Sequence, residues 1–180
     1  EEFWFSVAFV TTGGIATLMN TLLELEKKNI KGKILASQYL NFTQPEALKR
    51  IKKFKNIELR IATEGSFHSK GYLFKKNGVY DLIIGSSNLT QTALCSNKEW
   101  NLKISATEES ELIDQAVKEF KNEFESAKEV TERYLLEYGL IWKARTQFER
   151  EIKEKRKEFT KIEINPNLMQ REALENIANL

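Results

Sequence analysis

Histidine and cysteine are the scarcest reactive residues of this 180-residue chain, which holds one of each, His68 and Cys95. A single cysteine excludes an intramolecular disulfide framework and any Cys-cluster metal site. A single histidine excludes a multi-His metal centre within one chain. Imidazole chemistry therefore runs through His68 alone, or through two copies of it in an oligomer. Two prolines and eight glycines exclude collagen-like, linker-rich and low-complexity readings. No apolar stretch approaches the roughly 20 residues of a membrane span. What is left is an ordinary globular balance, 41% hydrophobic and 30% charged, in a length that suits one domain or one domain with an appendage. The chain opens Glu1-Glu2-Phe3-Trp4, without an initiator Met or a charged-then-apolar leader. It ends at Leu180 within a helix-like pattern. It reads as a piece of a larger intracellular, cytoplasmic protein, and the lone cysteine suits a reducing compartment.

Acidic residues are scarce in one part of the chain. The net charge is +2, but residues 27–76 carry 13 Lys and Arg against Glu46, Glu58 and Glu64, a surplus of ten, and the remainder carries a deficit of eight. A basic half around the only histidine suggests a polyanionic partner, nucleic acid first. A solvated lysine-rich surface is the other reading.

Hydrophobic periodicity predicts strand, helix, strand, helix, strand over residues 4–10, 15–28, 33–37, 45–54 and 57–61. Pro45 starts the second helix, where its missing N–H costs nothing. This opening favours a largely parallel sheet with helical cover. Strands are then expected at 68–76, 80–85 and 99–105, with Asn77-Gly78 as a hairpin turn and a short helix or turn at 90–96. From residue 108 the pattern is helical, with apolar residues from Leu112 to Phe124 at helical spacing. A further helix spans about 130–158, apolar in its first half and nearly all charge over 149–157, and another starts near Leu168 after Asn165-Pro166. The expected fold class is α/β, a mixed β-sheet flanked by helices with a C-terminal helical extension. The expected division is 1–128, a connector at 129–160, and the start of a further region at 161–180.

Residues 68–101 hold the chemistry. His68-Ser69-Lys70 on an alternating strand puts the imidazole and the ammonium on one face. Gly85-Ser86-Ser87-Asn88 follows on the adjacent hairpin strand, and Glu99 opens the next. Three neighbouring strands can thus bring these groups to one sheet end. They suit phosphodiester cleavage without a metal or other cofactor. An imidazole can attack phosphorus and form a phosphohistidine. Lys70, Ser86 and Asn88 can hold the non-bridging oxygens. Glu99 can accept from the far ring nitrogen of His68 and fix its tautomer. The leaving alkoxide needs a proton, which His68 of a second chain can supply.

The ordered set His68-Ser-Lys70, Gly85-Ser-Ser-Asn88 and Glu99 resembles the HKD motif of the phospholipase D superfamily. The wider run, with Ser37-Gln-Tyr-Leu-Asn-Phe-Thr43, Ile84-Gly-Ser-Ser-Asn-Leu-Thr90 and Asn97-Lys-Glu-Trp-Asn101, is similar to the phospholipase D-like nuclease domains joined to superfamily 2 DEAD/DEAH-box helicases. Resemblance covers about residues 3–125. It implies a phospholipase D-like fold and two motifs per active site, hence a homodimer joined at the active-site face, since this chain has one motif. By position, His68 is the nucleophile, Lys70, Ser86 and Asn88 bind phosphate, and Glu99 supports the histidine. The family often has an Asp shortly after the Lys. Residues 71–76 hold no acid, and Asp81 falls too late to match. Pro166-Asn-Leu-Met-Gln-Arg-Glu-Ala-Leu174 resembles the glutamine motif that opens many helicase cores, with Gln170 reading adenine. No phosphate-binding glycine loop follows it, so that motif implies a junction to a motor in the same full-length chain.

Ordinary structural roles stand beside these. Ser87 and Thr90 are expected to cap a turn, Tyr72 and Trp100 to lie in the core, and Cys95 to be a buried small apolar residue. Gln170 is open between helicase motif and helix surface. The primary expectation is a metal-independent endonuclease domain acting on DNA. The rivals are a DNA-binding module with slow or no chemistry, and a lipid phosphodiesterase or phosphatidyltransferase. The single motif and the absence of a membrane-binding segment count against the last.

Overall fold

A computed structural model describes residues 1–63, 67–159 and 168–178, without the side chains at 157–159, 168–170 and 173. It contains two compact units, Glu1–Trp142 and Lys143–Leu180.

The first unit is built on a seven-stranded sheet of order β6-β5-β4-β1-β2-β3-β7. Strands β1 (Glu2–Val7), β2 (Lys31–Ser37) and β3 (Ile57–Ala62) run parallel, joined through α1 (Thr12–Lys27) and α2 (Pro45–Lys52). Their starts follow local chemistry. The Thr11 hydroxyl accepts from the Gly14 N–H to cap α1, and Pro45 occupies the first turn of α2. Strands β4 (Lys70–Lys76), β5 (Val79–Gly85) and β6 (Asn101–Thr107) form an antiparallel meander on the other side of β1. Its first hairpin turns at Asn77 (φ 52°) and Gly78 (φ 76°), the left-handed pair that a two-residue turn between twisted strands requires. The two-residue β7 (Lys128–Glu129) pairs antiparallel with β3. Helices α3 (Gln91–Cys95), α4 (Glu111–Ser126), α5 (Glu132–Phe159) and α6 (Leu168–Ala178) complete the described chain.

Side-chain alternation divides two cores across the sheet. Phe3, Phe5, Val7, Ile34, Ala36, Leu59 and Ile61 meet α1, α2 and the start of α5, where Leu135 and Tyr138 are buried. Trp4, Leu35, Leu73, Tyr80 and Leu82 meet Ile113, Phe120 and Phe124 of α4. Surface ion pairs such as Lys118–Asp114 and Arg133–Glu137 are screened by solvent and add little to stability. The two apolar layers therefore hold the fold. The mixed sheet with flanking helices is the expected architecture.

Three local expectations are corrected. The strand carrying the His68 motif begins at Lys70, so His68 itself lies in the segment leading into β4. Cys95 is exposed at the end of α3. Trp100 is 89% exposed, whereas Tyr72 is buried as expected. The reason for Trp100 is topological: it leads into β6, the edge of the sheet, where nothing among the described residues covers its indole.

The second unit holds the charged end of α5 and α6. Residues 149–156 are exposed. The i, i+4 contacts Arg145 Nε–Glu149 (2.9 Å) and Gln147–Glu151 (3.1 Å) lie on the same helix. Gln170 lies on α6, and its side chain is outside the described residues, as are residues 166 and 167 at the start of the helicase-like segment. No helix among the described residues is long and apolar enough to cross a membrane.

Candidate active site

Strand polarity brings the chemistry-bearing segments to one end of the sheet. The parallel strands β1–β3 finish there. Strand β4 starts there, with Lys70 opposite Val7, and the Ala8 N–H donates to the Ser69 carbonyl at 2.8 Å just beyond the ladder. Strand β5 ends there at Gly85, opposite Asn101 of β6. A Cβ on Gly85 would collide with the Trp100 carbonyl and the Asn101 side chain. That residue must be glycine for β5 and the entry to β6 to approach so closely.

The 86–90 loop is held on all sides. The Ser86 N–H donates to the Trp100 carbonyl at 2.9 Å, and the Trp100 N–H donates to Ser86 Oγ at 3.0 Å. The buried Tyr72 hydroxyl donates to the Ser87 carbonyl at 2.9 Å, and Asn101 Nδ2 donates to Ser87 Oγ at 2.8 Å. Burial pushes the Tyr72 phenol well above its ordinary range, so it stays a donor. The Leu89 N–H donates to the Phe9 carbonyl at 3.1 Å. Thr90 caps α3, accepting from the Ala93 N–H at 3.2 Å. Ser87 thus braces the loop and Thr90 caps a helix.

On this frame Asn88 is oriented without ambiguity. The Phe9 N–H lies 3.1 Å from Asn88 Oδ1. A backbone N–H can only donate, so the atom facing it is the amide oxygen, and the NH2 is left as a donor for another group.

Lys70 and His68 are in direct contact. Lys70 Nζ lies 2.7 Å from His68 Nδ1, 3.3 Å from Nε2, and donates to the His68 carbonyl at 2.8 Å. Loss of solvation lowers the Lys70 pKa, opposed by the charge of Glu99. Glu99 accepts from Ser86 Oγ and from Asn97 Nδ2 at 3.1 Å. These bonds, and then the charge of Lys70, hold its carboxyl below the usual range. The five expected residues therefore share one neighbourhood. Their pairing differs from the sequence reading in one respect: the imidazole partner is Lys70, while the described bonds of Glu99 go to Ser86 and Asn97.

Sequence reasoning gave no role to the residues that wall His68. The Phe9 ring meets the imidazole edge-on at 5.4 Å and the Tyr39 ring does so at 6.5 Å. Phe42 packs on Phe9 at 4.9 Å. Tyr39 and Phe42 belong to a tight turn after β2 in which Leu40 (φ 52°) and Asn41 (φ 53°) are both left-handed. That conformation costs Leu40 about 1–2 kcal/mol, whereas asparagine adopts it more readily. Three donors from α5 offset it. Tyr134 Oη donates to Gln38 Oε1 at 2.9 Å, Tyr138 Oη to the Thr43 carbonyl at 2.7 Å, and Trp142 Nε1 to the Asn41 carbonyl at 2.9 Å. The available signal was the aromatic-rich Tyr39-Leu-Asn-Phe42 between a strand and Pro45, answered by aromatics at i, i+4 and i+8 on a later helix.

Known proteins place this architecture. A family model described as cardiolipin synthase, PLD-like domain, matches residues 1–127. NucT from Helicobacter pylori shares the fold at 19% identity and TM-score 0.54, over 72% of this chain and 82% of its own. Nuc from Salmonella typhimurium, a phospholipase D family member, shares it at 18% identity and TM-score 0.55, over 72% and 81%. Phosphatidylserine synthase from Haemophilus influenzae shares it at 15% identity and TM-score 0.58, over 86% of this chain and 40% of its own. No curated protein matches the chain.

Proposed function

The chain belongs to the phospholipase D-like domain family, and we propose that it is a metal-independent phosphodiesterase cleaving DNA through a covalent phosphohistidine on His68. The observation that carries this reading is the Lys70–His68 contact at 2.7 Å beside an Asn88 amide whose oxygen is already engaged. A nucleophile, an ammonium and an NH2 donor share one sheet end, and a phosphodiester anion needs that set.

A ring nitrogen of His68 attacks phosphorus, forming the N–P bond as the P–O bond to the leaving nucleoside breaks. Lys70 moves from the ring onto a non-bridging oxygen, which releases the imidazole lone pair and meets the charge that grows in the transition state. The Asn88 NH2 serves the other non-bridging oxygen, and the Ser86 hydroxyl joins it by turning from Glu99, to which it donates in the free site. Glu99 keeps Lys70 charged. The leaving alkoxide takes a proton from the imidazolium of a second His68, supplied by another copy of the chain at the active-site face. Water then attacks the phosphohistidine and gives its proton to that second imidazole as the N–P bond breaks. The two imidazoles titrate as a pair, one neutral and one charged. The surplus of ten positive charges over residues 27–76 supports a polyanionic substrate. The resemblance of residues 166–174 to a helicase motif supports a place beside an ATP-driven motor in the same full-length protein.

The experiment is cleavage of single- and double-stranded DNA in excess EDTA by the native chain and by His68→Ala, with folding checked by circular dichroism. Cleavage that survives EDTA and vanishes in the variant supports the reading. Salt-sensitive binding without cleavage makes the chain a binding module, and hydrolysis of phosphatidylcholine but not DNA makes it a lipid enzyme.

A further inference from the structure

The Tyr39–Phe42 turn has no part in the chemistry just described, yet it is built with care. Three side chains of α5 hold it in a shape that Leu40 disfavours. The outcome is display. Tyr39 is 38% exposed, Leu40 46% and Phe42 56%, on the flank of the His68 imidazole. A turn whose purpose was to cover the core would bury these side chains. Here the polar groups of the turn face inward onto α5 while the apolar ones face out.

We propose that Tyr39 and Phe42, backed by Phe9, form a stacking ledge for a nucleobase next to the scissile phosphate, and that it selects unpaired over duplex nucleic acid. The inference rests on the phosphodiesterase reading above. Position favours it: a base attached to a phosphate at His68 lies within one nucleotide of Tyr39, whose ring meets that imidazole at 6.5 Å, and of Phe42, which packs on the Phe9 ring beside it. Charge favours it as well, since the ledge falls within the basic part of the chain, at residues 39–42 of 27–76. Aromatic faces bind every base, so the ledge carries no sequence preference. A base in a duplex is already stacked and paired and has no face to offer, so only an unpaired strand gains from it.

The test uses the full chain and a short single-stranded oligonucleotide, with Tyr39→Ala/Phe42→Ala against the native protein. Both rings are partly exposed, and circular dichroism confirms that the fold is kept. Stacking is worth about 5- to 150-fold per base. The double variant is therefore expected to raise KM for the oligonucleotide on the order of 10-fold or more, with kcat changed by no more than about threefold. Duplex KM should be nearly unmoved. An oligonucleotide with a base-free spacer beside the cleaved linkage should lose the same factor with the native protein and nothing further with the variant. Tyr39→Phe should behave as native.

An equal KM for native and variant protein overturns the ledge and leaves the phosphodiesterase reading intact. If neither protein cuts, that reading falls by itself, and the ledge is judged by quenching of a phosphorothioate oligonucleotide containing 2-aminopurine. Quenching by the native protein that the variant loses supports the ledge, and its absence overturns it. Native binding to phosphatidylglycerol vesicles that the variant loses, with oligonucleotide binding unchanged, assigns the turn to a lipid surface instead.

Discussion

Lys70 Nζ stands 2.7 Å from His68 Nδ1 and 3.3 Å from Nε2, so the ammonium sits against the ring nitrogens through which the proposed chemistry would run. On the proposed route the ion would take two successive positions, on the ring before substrate arrives and on a phosphate oxygen afterwards. Its partial burial lowers its pKa while Glu99 opposes that loss. Glu99, whose described bonds go to Ser86 and Asn97, would thus act on the proposed reaction through Lys70 and Ser86.

Asn88 separates structure from chemistry cleanly. Asn88→Asp keeps an oxygen for the Phe9 N–H but replaces the NH2 donor with an anion facing the phosphate. We expect the fold to survive and turnover to fall on the order of 100- to 1,000-fold. Thermal unfolding beside cleavage rates checks it, and a variant with near-native rates would remove Asn88 from phosphate binding.

Two glycines near the site make opposite predictions. Gly85→Ala drives a methyl group into the Trp100 carbonyl and the Asn101 side chain and should cost about 1–3 kcal/mol, with activity lost as Ser86 and Glu99 separate. Gly71→Ala places its methyl in open space and should be neutral or slightly stabilising. Urea denaturation midpoints of the two variants measure the contrast.

The pH dependence of stability has a defined sign at Glu108. It pairs with Lys75 and accepts from the Tyr80 hydroxyl at 2.7 Å, and these bonds, Lys75 first, hold its pKa below the ordinary 4.5. A carboxyl lowered on folding stabilises the protein above the unfolded pKa, and the contribution disappears as pH falls through the folded one. Glu108→Gln should therefore be less stable than the native chain at pH 7, with the deficit fading below about pH 4. The group is exposed, so added salt should shrink the difference. Denaturation midpoints at the two pH values check it.

How far the sequence could be read depends on which forces act locally. The apolar runs of β1, β2 and β5, the alternation of β3 and β4, Pro45 and Asn77-Gly78 announce themselves because each acts within a few residues. The site was legible for a related reason, since strands β4, β5 and β6 are consecutive neighbours and carry their motif residues to one end. What failed was decided by distant partners. Trp100 reads as core until β6 is known to be the sheet edge, and Cys95 reads as buried until α3 is known to be a single exposed turn. The two-residue β7 is too short for any period. His68 falls outside the ladder because β4 pairs with β1 only as far as Val7. The clamp on residues 38–43 comes from residues 134–142, a separation no local pattern spans.

The covalent intermediate is the central claim, and the stereochemical course at phosphorus tests it most directly. A phosphodiester substrate made chiral with sulfur and oxygen isotopes is hydrolysed by the native chain and the product configuration is read. Attack by His68 and then by water inverts phosphorus twice, so the account predicts net retention. Net inversion would mean a single direct attack by water and would contradict the phosphohistidine route.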